Sequence, residues 1–91
     1  MWHKIKISAN NIETSTEKAV LIKMKHNSNY DGFVFWHSAK LVREDGKAYT
    51  FSFNDEFKFN LKKYGQGKWN NRDIVREENI GANVMLAEWK L

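Results

Sequence analysis

Hydrophobic and polar residues alternate along much of this chain, with the period of two that is typical of strands with one buried face. The pattern is clearest in residues 48–53 and 57–62, where Phe51, Phe53 and Phe59 alternate with lysines or short polar residues. It predicts five or six antiparallel strands. They would cover residues 4–8, 19–25, 33–36, 48–53, 57–62 and, with a less regular pattern, 68–76.

Turn-forming residues separate these predicted strands. The chain contains two Asp-Gly pairs, which are typical of tight hairpins: Asp31-Gly32 and Asp45-Gly46. Polar residues 13–18 are predicted to form a loop. Residues 33–36 are apolar at every position, so we expect this strand to be covered on both faces.

The end of the chain has a different period. Residues 82–90 place Met85 and Trp89 four positions apart, on one face of a predicted helix. Nine residues are too few for a stable isolated helix, so this one must dock on the sheet. The fold class predicted for residues 1–91 is therefore a single mainly β (α+β) domain. It would be an antiparallel meander or small barrel of five to six strands with one short C-terminal helix.

The composition excludes several kinds of site. The chain has no cysteine, so it can form neither a disulfide nor a zinc site with thiolate ligands. Its three histidines are far apart, and no motif typical of nucleophilic, nucleotide or metal chemistry occurs. We therefore expect a binding protein without catalytic residues, metal or cofactor. A small ribonuclease is a minor alternative, in which His37 would act with Lys40 or Arg43, or Glu56 with Arg72.

The location of the protein is also an expectation from the sequence. The first eight residues alternate in polarity, unlike a secretory signal, and no apolar run approaches the ~20 residues of a membrane span. The chain is therefore expected to be cytoplasmic, with no membrane partner.

The most distinctive local feature is a window without acidic residues. The formal net charge is +4, and residues 57–72 contain five cations and no Asp or Glu. Lysine and arginine neutralise phosphates, and aromatic rings stack on unpaired bases. The window thus predicts binding of single-stranded DNA or RNA, without sequence preference. The residues that would bind are Lys58, Lys62, Lys63, Lys68 and Arg72, with Tyr64 and Trp69 stacking on bases.

Strand alternation places Lys58, Asn60 and Lys62 on one solvent face, with Lys63 on the opposite side at the strand end. Thr50 and Ser52 would lie on the same solvent face of the neighbouring strand. Lysines on an exposed strand also serve simply to solvate it or to prevent aggregation, so this alternative stays open.

A second candidate surface surrounds Tyr30, Trp36 and His37. Trp36 points away from Phe33 and Phe35 on strand alternation, so one of these sets needs separate cover. If the terminal helix does not cover Trp36, the exposed ring would mark a protein interface or a homodimer seam.

Two segments, residues 30–37 (YDGFVFWH) and 61–68 (LKKYGQGK), resemble small phage or mobile-element proteins of low-GC Gram-positive bacteria that have no assigned activity. The strands-then-helix order is also similar to the small transcriptional-coactivator fold that binds single-stranded DNA as a dimer. The phage resemblance implies either a nucleic-acid-binding accessory protein or an inhibitor of a host defence nuclease, of the anti-CRISPR kind. DNA-mimicking inhibitors tend to be acidic, whereas this chain is basic, so an inhibitor would use an aromatic patch or bind the guide or target nucleic acid.

Overall fold

The computed structural model of the chain describes residues 1–64 and 74–90. They form strands joined by turns, two short 3₁₀ segments and one helix. The eight strands are β1 (Trp2–Ser8), β2 (Ile12–Ser15), β3 (Ala19–Lys23), β4 (Val34–Ser38), β5 (Val42–Asp45), β6 (Ala48–Asn54), β7 (Lys58–Tyr64) and β8 (Ile74–Gly81). The helix is α1 (Ala82–Glu88), and the 3₁₀ segments are Ala9–Asn11 and Ala39–Leu41.

The strands form two antiparallel sheets rather than a closed barrel. One sheet has three strands in the order β1-β6-β5, and the other has five in the order β2-β3-β4-β7-β8. The predicted class, mainly β with one short C-terminal helix, is confirmed. The predicted meander is wrong, because β6 pairs with β1 and β5, whereas β7 pairs with β4 and β8.

Aromatic rings from the two sheets meet in one shared core. Phe51 and Phe53 project from β6, and Phe35 and Phe59 project from the facing sheet. The Phe35 and Phe51 ring centroids are 5.5 Å apart, and those of Phe53 and Phe59 are 5.1 Å apart. Edge-to-face pairs of this kind contribute about 0.5–1.5 kcal/mol beyond the area they bury. The strong alternation of β6 and β7 therefore reflects two layers packed face to face, not two neighbours in one sheet.

The 3₁₀ segments are the corners at which the chain passes between sheets. Ala9–Asn11 joins β1 to β2, and Ala39–Leu41 joins β4 to β5. At the first corner the Ser8 hydroxyl accepts a hydrogen bond from the Asn10 amide (3.0 Å), and the Asn11 side chain accepts one from the Ser8 amide (3.2 Å). These local bonds satisfy backbone donors that would otherwise lack partners at the bend.

The prediction of a loop over residues 13–18 is wrong for residues 13–15, which belong to strand β2 (Ile12–Ser15). β2 is an edge strand, and its pairing with β3 is irregular between Ile12 and Thr14. Only Ile12 among its residues has an apolar side chain, and the others are exposed. Backbone pairing, the packing of Ile12 on the core and the Glu13–Lys23 ion pair (3.5 Å) hold this edge, and none of them gives the period of two that would reveal a strand in the sequence.

The helix closes one end of the core. Met85 is fully buried, and the Trp89 indole N–H points at its sulfur atom (3.2 Å), as the four-residue spacing predicted for one helical face. The Trp89 ring packs edge-on against Phe51, with centroids 5.9 Å apart. The buried Glu88 carboxylate accepts hydrogen bonds from the backbone and side-chain nitrogens of Asn29 (2.7 and 3.0 Å). At seven residues, α1 is too short to cross a membrane, and the described part of the chain has no other α-helix.

Candidate nucleic-acid interface

The outer face of the five-stranded sheet carries three of the predicted nucleic-acid-binding residues, Lys58, Lys62 and Tyr64. On β7, Lys58 and Asn60 are exposed and Lys62 is half-buried, while Phe59 and Leu61 between them are buried in the core. The alternation predicted for this strand is confirmed. A row of polar side chains therefore faces outwards along β7.

Trp36 lies on this same outer face. A groove of about 150 Å³ is lined by Trp36 together with Leu21, Val34, Phe35, Asn60, Lys62 and Tyr64. The two surfaces that the sequence suggested as alternatives, one basic and one centred on Trp36, thus share one groove. Sequence reasoning did not join them, because the pairing of β4 with β7 cannot be read from alternation within either strand.

The expectation that residues 33–36 are covered on both faces is wrong. Trp36 remains 48 % exposed, and Val34 beside it is only half-buried. Leu21, which lies opposite Trp36 on β3, is also half-buried. These apolar side chains border the groove, so Trp36 stands at the edge of a partly apolar patch.

One acidic residue, Glu77, reaches this face from β8. Four side chains form one cross-strand row over the four strands β3, β4, β7 and β8: Lys23, Val34, Lys62 and Glu77. Glu77 is held in place by the Asn60 side-chain amide, which donates to its carboxylate (2.8 Å) and to the Asn79 side-chain oxygen (2.9 Å). Residues 57–72 contain no acidic residue, but in the folded protein Glu77 lies beside Lys62. Only the pairing of β7 with β8 shows this.

Lys62 and Lys63 lie on opposite sides of the sheet. Lys62 lines the groove, whereas Lys63 lies against the loop before β4, where a Cβ placed at Gly32 would be 3.3 Å from the lysine Cε. Arg76, the cross-strand partner of Lys63, places its guanidinium 5.7 Å from the centre of the Phe33 ring. The two neighbouring lysines therefore serve different surfaces.

Three other predicted binding residues, Lys68, Trp69 and Arg72, lie outside the described residues. They belong to the segment that connects β7 to β8 in sequence.

His37 is part of the core. It is 2 % exposed and stacks over Phe59, with centroids 5.8 Å apart. Its Nε2 lies 2.7 Å from the Ser52 carbonyl oxygen, which can only accept, so Nε2 carries the proton and donates. Burial lowers the pKa of His37, although the bond to Ser52 partly opposes this. Neither a partner surface nor a substrate in solvent can reach this ring in the folded protein.

Tyr30 lies at the margin of the core. Its ring is half-buried and meets Phe33 edge-on, with centroids 5.7 Å apart. It stands in the loop between β3 and β4, and it is not among the residues that line the Trp36 groove. Of the three residues suggested for a protein interface, Trp36 is the one that lines this groove.

A wider cleft of about 520 Å³ lies beside the first corner, lined by Ser8, Asn10, Asn11, Lys23, Met24, Lys25, His26, Asp31, Gly32 and Phe33. The Asp31 carboxylate at its rim pairs with His26 (3.1 Å) and accepts a hydrogen bond from the Asn27 amide (3.1 Å). Asp31 thereby fixes the loop that forms one wall.

Within residues 1–64 and 74–90, no three His, Asp or Glu side chains come together in a group that could hold a metal ion. Comparison of the chain with protein-family models, curated protein sequences and solved structures gave no match. The geometry of the groove is therefore the basis on which a function can be proposed.

Proposed function

We propose that this protein binds single-stranded nucleic acid, DNA or RNA, on the outer face of its five-stranded sheet. The observation that carries the proposal is the groove in which an exposed tryptophan, Trp36, lies with Lys62 and Tyr64. A base stacked on Trp36 would gain about 1–3 kcal/mol. The protein would act as a binding module in the cytoplasm and not as an enzyme.

The lysines of this face suit a phosphate backbone. Lys58 and Lys62 each stand two positions from Asn60, on either side of it, and are therefore four positions and roughly 13 Å apart along the extended strand. Lys23 lies in the same cross-strand row as Lys62, where it pairs with Glu13 of β2 (3.5 Å). A strand that stacks on Trp36 can therefore place neighbouring phosphates near at least one ammonium group on each side of the ring.

The polar groups of the groove favour binding without sequence preference. The Asn60 amide nitrogen already donates to Glu77 and Asn79, so it is not free to read a base edge. Stacking accepts any base, because every base has a flat aromatic face. Glu77 repels phosphates near Lys62, so moderate affinity with a marked salt dependence is expected.

A protein partner is the second candidate, and the apolar border of Trp36 favours it. Leu21 and Val34 lie beside the exposed indole, and tryptophan in such surroundings is a frequent anchor of protein interfaces. On this proposal the protein would be a phage-encoded inhibitor that docks on a host nuclease, or would form a homodimer through Trp36. Its binding would depend little on salt.

The experiment is a titration of fluorescently labelled 15-nucleotide DNA and RNA, followed by anisotropy at two salt concentrations. Trp36→Ala should weaken binding by about tenfold or more, and Trp36→Phe should keep most of the affinity because it keeps a ring. Lys62→Gln should weaken binding severalfold, whereas the matched change at its neighbour, Lys63→Gln, should have a smaller effect because Lys63 lies on the other side of the sheet.

Wild-type protein that fails to bind any oligonucleotide at low salt would refute the nucleic-acid proposal. If a purified nuclease or a second copy of the chain then binds wild type but not Trp36→Ala, the protein-partner proposal stands instead.

A further inference from the structure

The three-stranded sheet has an outer face of its own, on the other side of the shared core from the Trp36 groove. Its side chains form cross-strand pairs of one lysine with one short polar residue: Lys4 with Ser52, and Lys6 with Thr50. Arg43 on β5 lies on the other side of Thr50. Three cations therefore surround a polar centre on the strand that runs down the middle of this sheet.

These cations form no ion pairs with acidic side chains among the described residues. Lys4, Lys6 and Arg43 are all exposed, and none of them belongs to an ion pair within the described part of the chain. Asp45 borders the array, two positions from Arg43 on the same face of β5, where it lies opposite Ala48, and Asp55 accepts a hydrogen bond from His3. The contrast with the five-stranded sheet is direct, because there Glu77 stands opposite Lys62.

The polar residues between the cations are of the kinds that donate to phosphate oxygens. Thr50 is only 7 % exposed although it faces outwards, as expected of a short side chain between the long stems of Lys6 and Arg43. Ser52 and Asn54 follow on the same face. Hydroxyl and amide groups next to Lys and Arg are typical contacts to the nucleic-acid backbone.

We infer that the outer face of the three-stranded sheet, defined by Lys4, Lys6, Arg43 and Thr50, is a second binding surface that takes the phosphodiester backbone of nucleic acid. Lys4 and Lys6 are two positions apart on β1, roughly 6–7 Å, and Arg43 lies two strands from Lys6, roughly 9–10 Å away. Such a flat array neutralises several phosphates at once and reads no bases. This surface goes beyond the proposed function, because it shares no residue with the groove that stacks bases.

Nucleic acid fits this face better than a lipid membrane does. Membrane-surface binding requires an apolar face that enters the acyl boundary beside the cations. Between Lys4, Lys6 and Arg43 the residues are Thr50 and Ser52, and the exposed Trp2 lies only at the end of β1. Charge complementarity without an apolar centre points to a phosphate backbone in water.

The test compares two variants of equal charge. Lys4→Gln, Lys6→Gln and Arg43→Gln are combined in one protein, and Lys18→Gln, Lys40→Gln and Lys90→Gln in the other; all six residues are exposed. Binding to a 20-base-pair duplex and to a 15-nucleotide single strand is measured at four salt concentrations, with circular dichroism to confirm folding. The first variant should lose about tenfold or more in affinity, and its plot of log affinity against log salt should flatten by about 2–3 for duplex. The control should stay close to wild type.

The two ligands show which form of nucleic acid uses this face, since a change confined to one ligand assigns the surface to that form. Equal affinities and equal salt slopes for the two variants would overturn the inference, as would the absence of any nucleic-acid binding by wild type. Binding to phosphatidylserine vesicles that only the first variant loses, with no change towards nucleic acid, would replace it by a lipid surface. Trp36→Ala serves as an independent reference, because it reports on the groove alone.

Discussion

Trp36 and His37 are neighbours in the chain but lie on opposite faces of β4, the indole 48 % exposed and the imidazole 2 % exposed. The strand therefore divides two roles between adjacent aromatic residues. Trp36 belongs to the groove on the outer face, whereas His37 links the two sheets through its bond to the Ser52 carbonyl of β6. A ligand can use the first without disturbing the second.

The buried imidazole makes stability depend on pH. Nδ1 of His37 is buried and has no hydrogen-bond partner among the described residues, so a second proton would place a charge among the rings of Phe35, Phe51 and Phe59. The pKa of His37 is lowered in the folded state, whereas in the unfolded chain it has the ordinary histidine value of about 6.5. Below about pH 6.5 the unfolded chain therefore binds more protons than the folded protein. The contribution of His37 to stability is then complete above that pH and declines below it, by at most about 1.4 kcal/mol per pH unit.

We expect the free energy of unfolding, measured by urea denaturation between pH 5 and 8, to fall below about pH 6.5. His37→Phe should remove most of this slope, whereas Lys18→Gln, at an exposed residue of a loop, is the control and should keep it. A slope that persists in His37→Phe would assign the pH dependence to other groups.

Glu88 ties the terminal helix to the loop before β4. Its carboxylate is 6 % exposed and accepts two hydrogen bonds from Asn29. Glu88→Ala leaves the donors of Asn29 without their acceptor, so we expect a loss of about 1–3 kcal/mol in the free energy of unfolding. Thermal and urea denaturation check this.

Glu56→Ala, in an exposed turn, is the control and should change stability by less than about 0.5 kcal/mol. Equal effects of the two substitutions would show that the Asn29 bonds contribute little.

Gly46 tests the hairpin between β5 and β6. Its φ is +64°, and no atom of the described residues lies within 4 Å of the position that a Cβ would take, so any penalty for a side chain there is due to the backbone conformation alone. Gly46→Ala should destabilise the fold by about 1–2 kcal/mol. Gly46→Asn is the matched control, because asparagine adopts a positive φ more readily than alanine, as Asn27 does in this chain at +69°. The comparison is made by urea denaturation, and a control that loses as much as Gly46→Ala would contradict the assignment of strain.

The sequence allowed the buried face of most strands to be predicted but not the assignment of strands to sheets. Alternation shows which side of β6 and β7 is buried, and Phe51, Phe53 and Phe59 are core residues as expected. It does not show whether two strands lie side by side or in facing layers, because either arrangement buries the same residues. The β6–β7 neighbour relation was wrong for this reason.

The candidate site was predictable only in part. Lys58 and Lys62 lie on the outer face that their spacing indicated, but Trp36 and Glu77 reach that face through β4–β7 and β7–β8 pairing. Such contacts join positions that are far apart in sequence, and no local pattern records them. The exposure of Trp36 had one available signal, since it alternates with the buried Phe35 and His37. Alternation marks Trp36 as a candidate for exposure, but an apolar run is also consistent with cover on both faces, so the sequence alone does not decide between the two.

Glu77 offers the sharpest test of how charge acts in the groove. It lies directly opposite Lys62, and the Asn60 amide holds its carboxylate on the outer face. Glu77→Gln removes the negative charge but keeps an oxygen that can accept from Asn60, so the local geometry should survive. If nucleic acid binds here, affinity for a 15-nucleotide strand should rise about two- to fivefold at low salt, and the gain should shrink as salt screens the charge.

Glu17→Gln, in an exposed loop, changes the net charge equally and should have a smaller effect. Anisotropy titrations of both variants at low and high salt distinguish the cases. A gain of the same size in both would mean that only net charge matters, and no gain in either would place the bound strand away from Lys62.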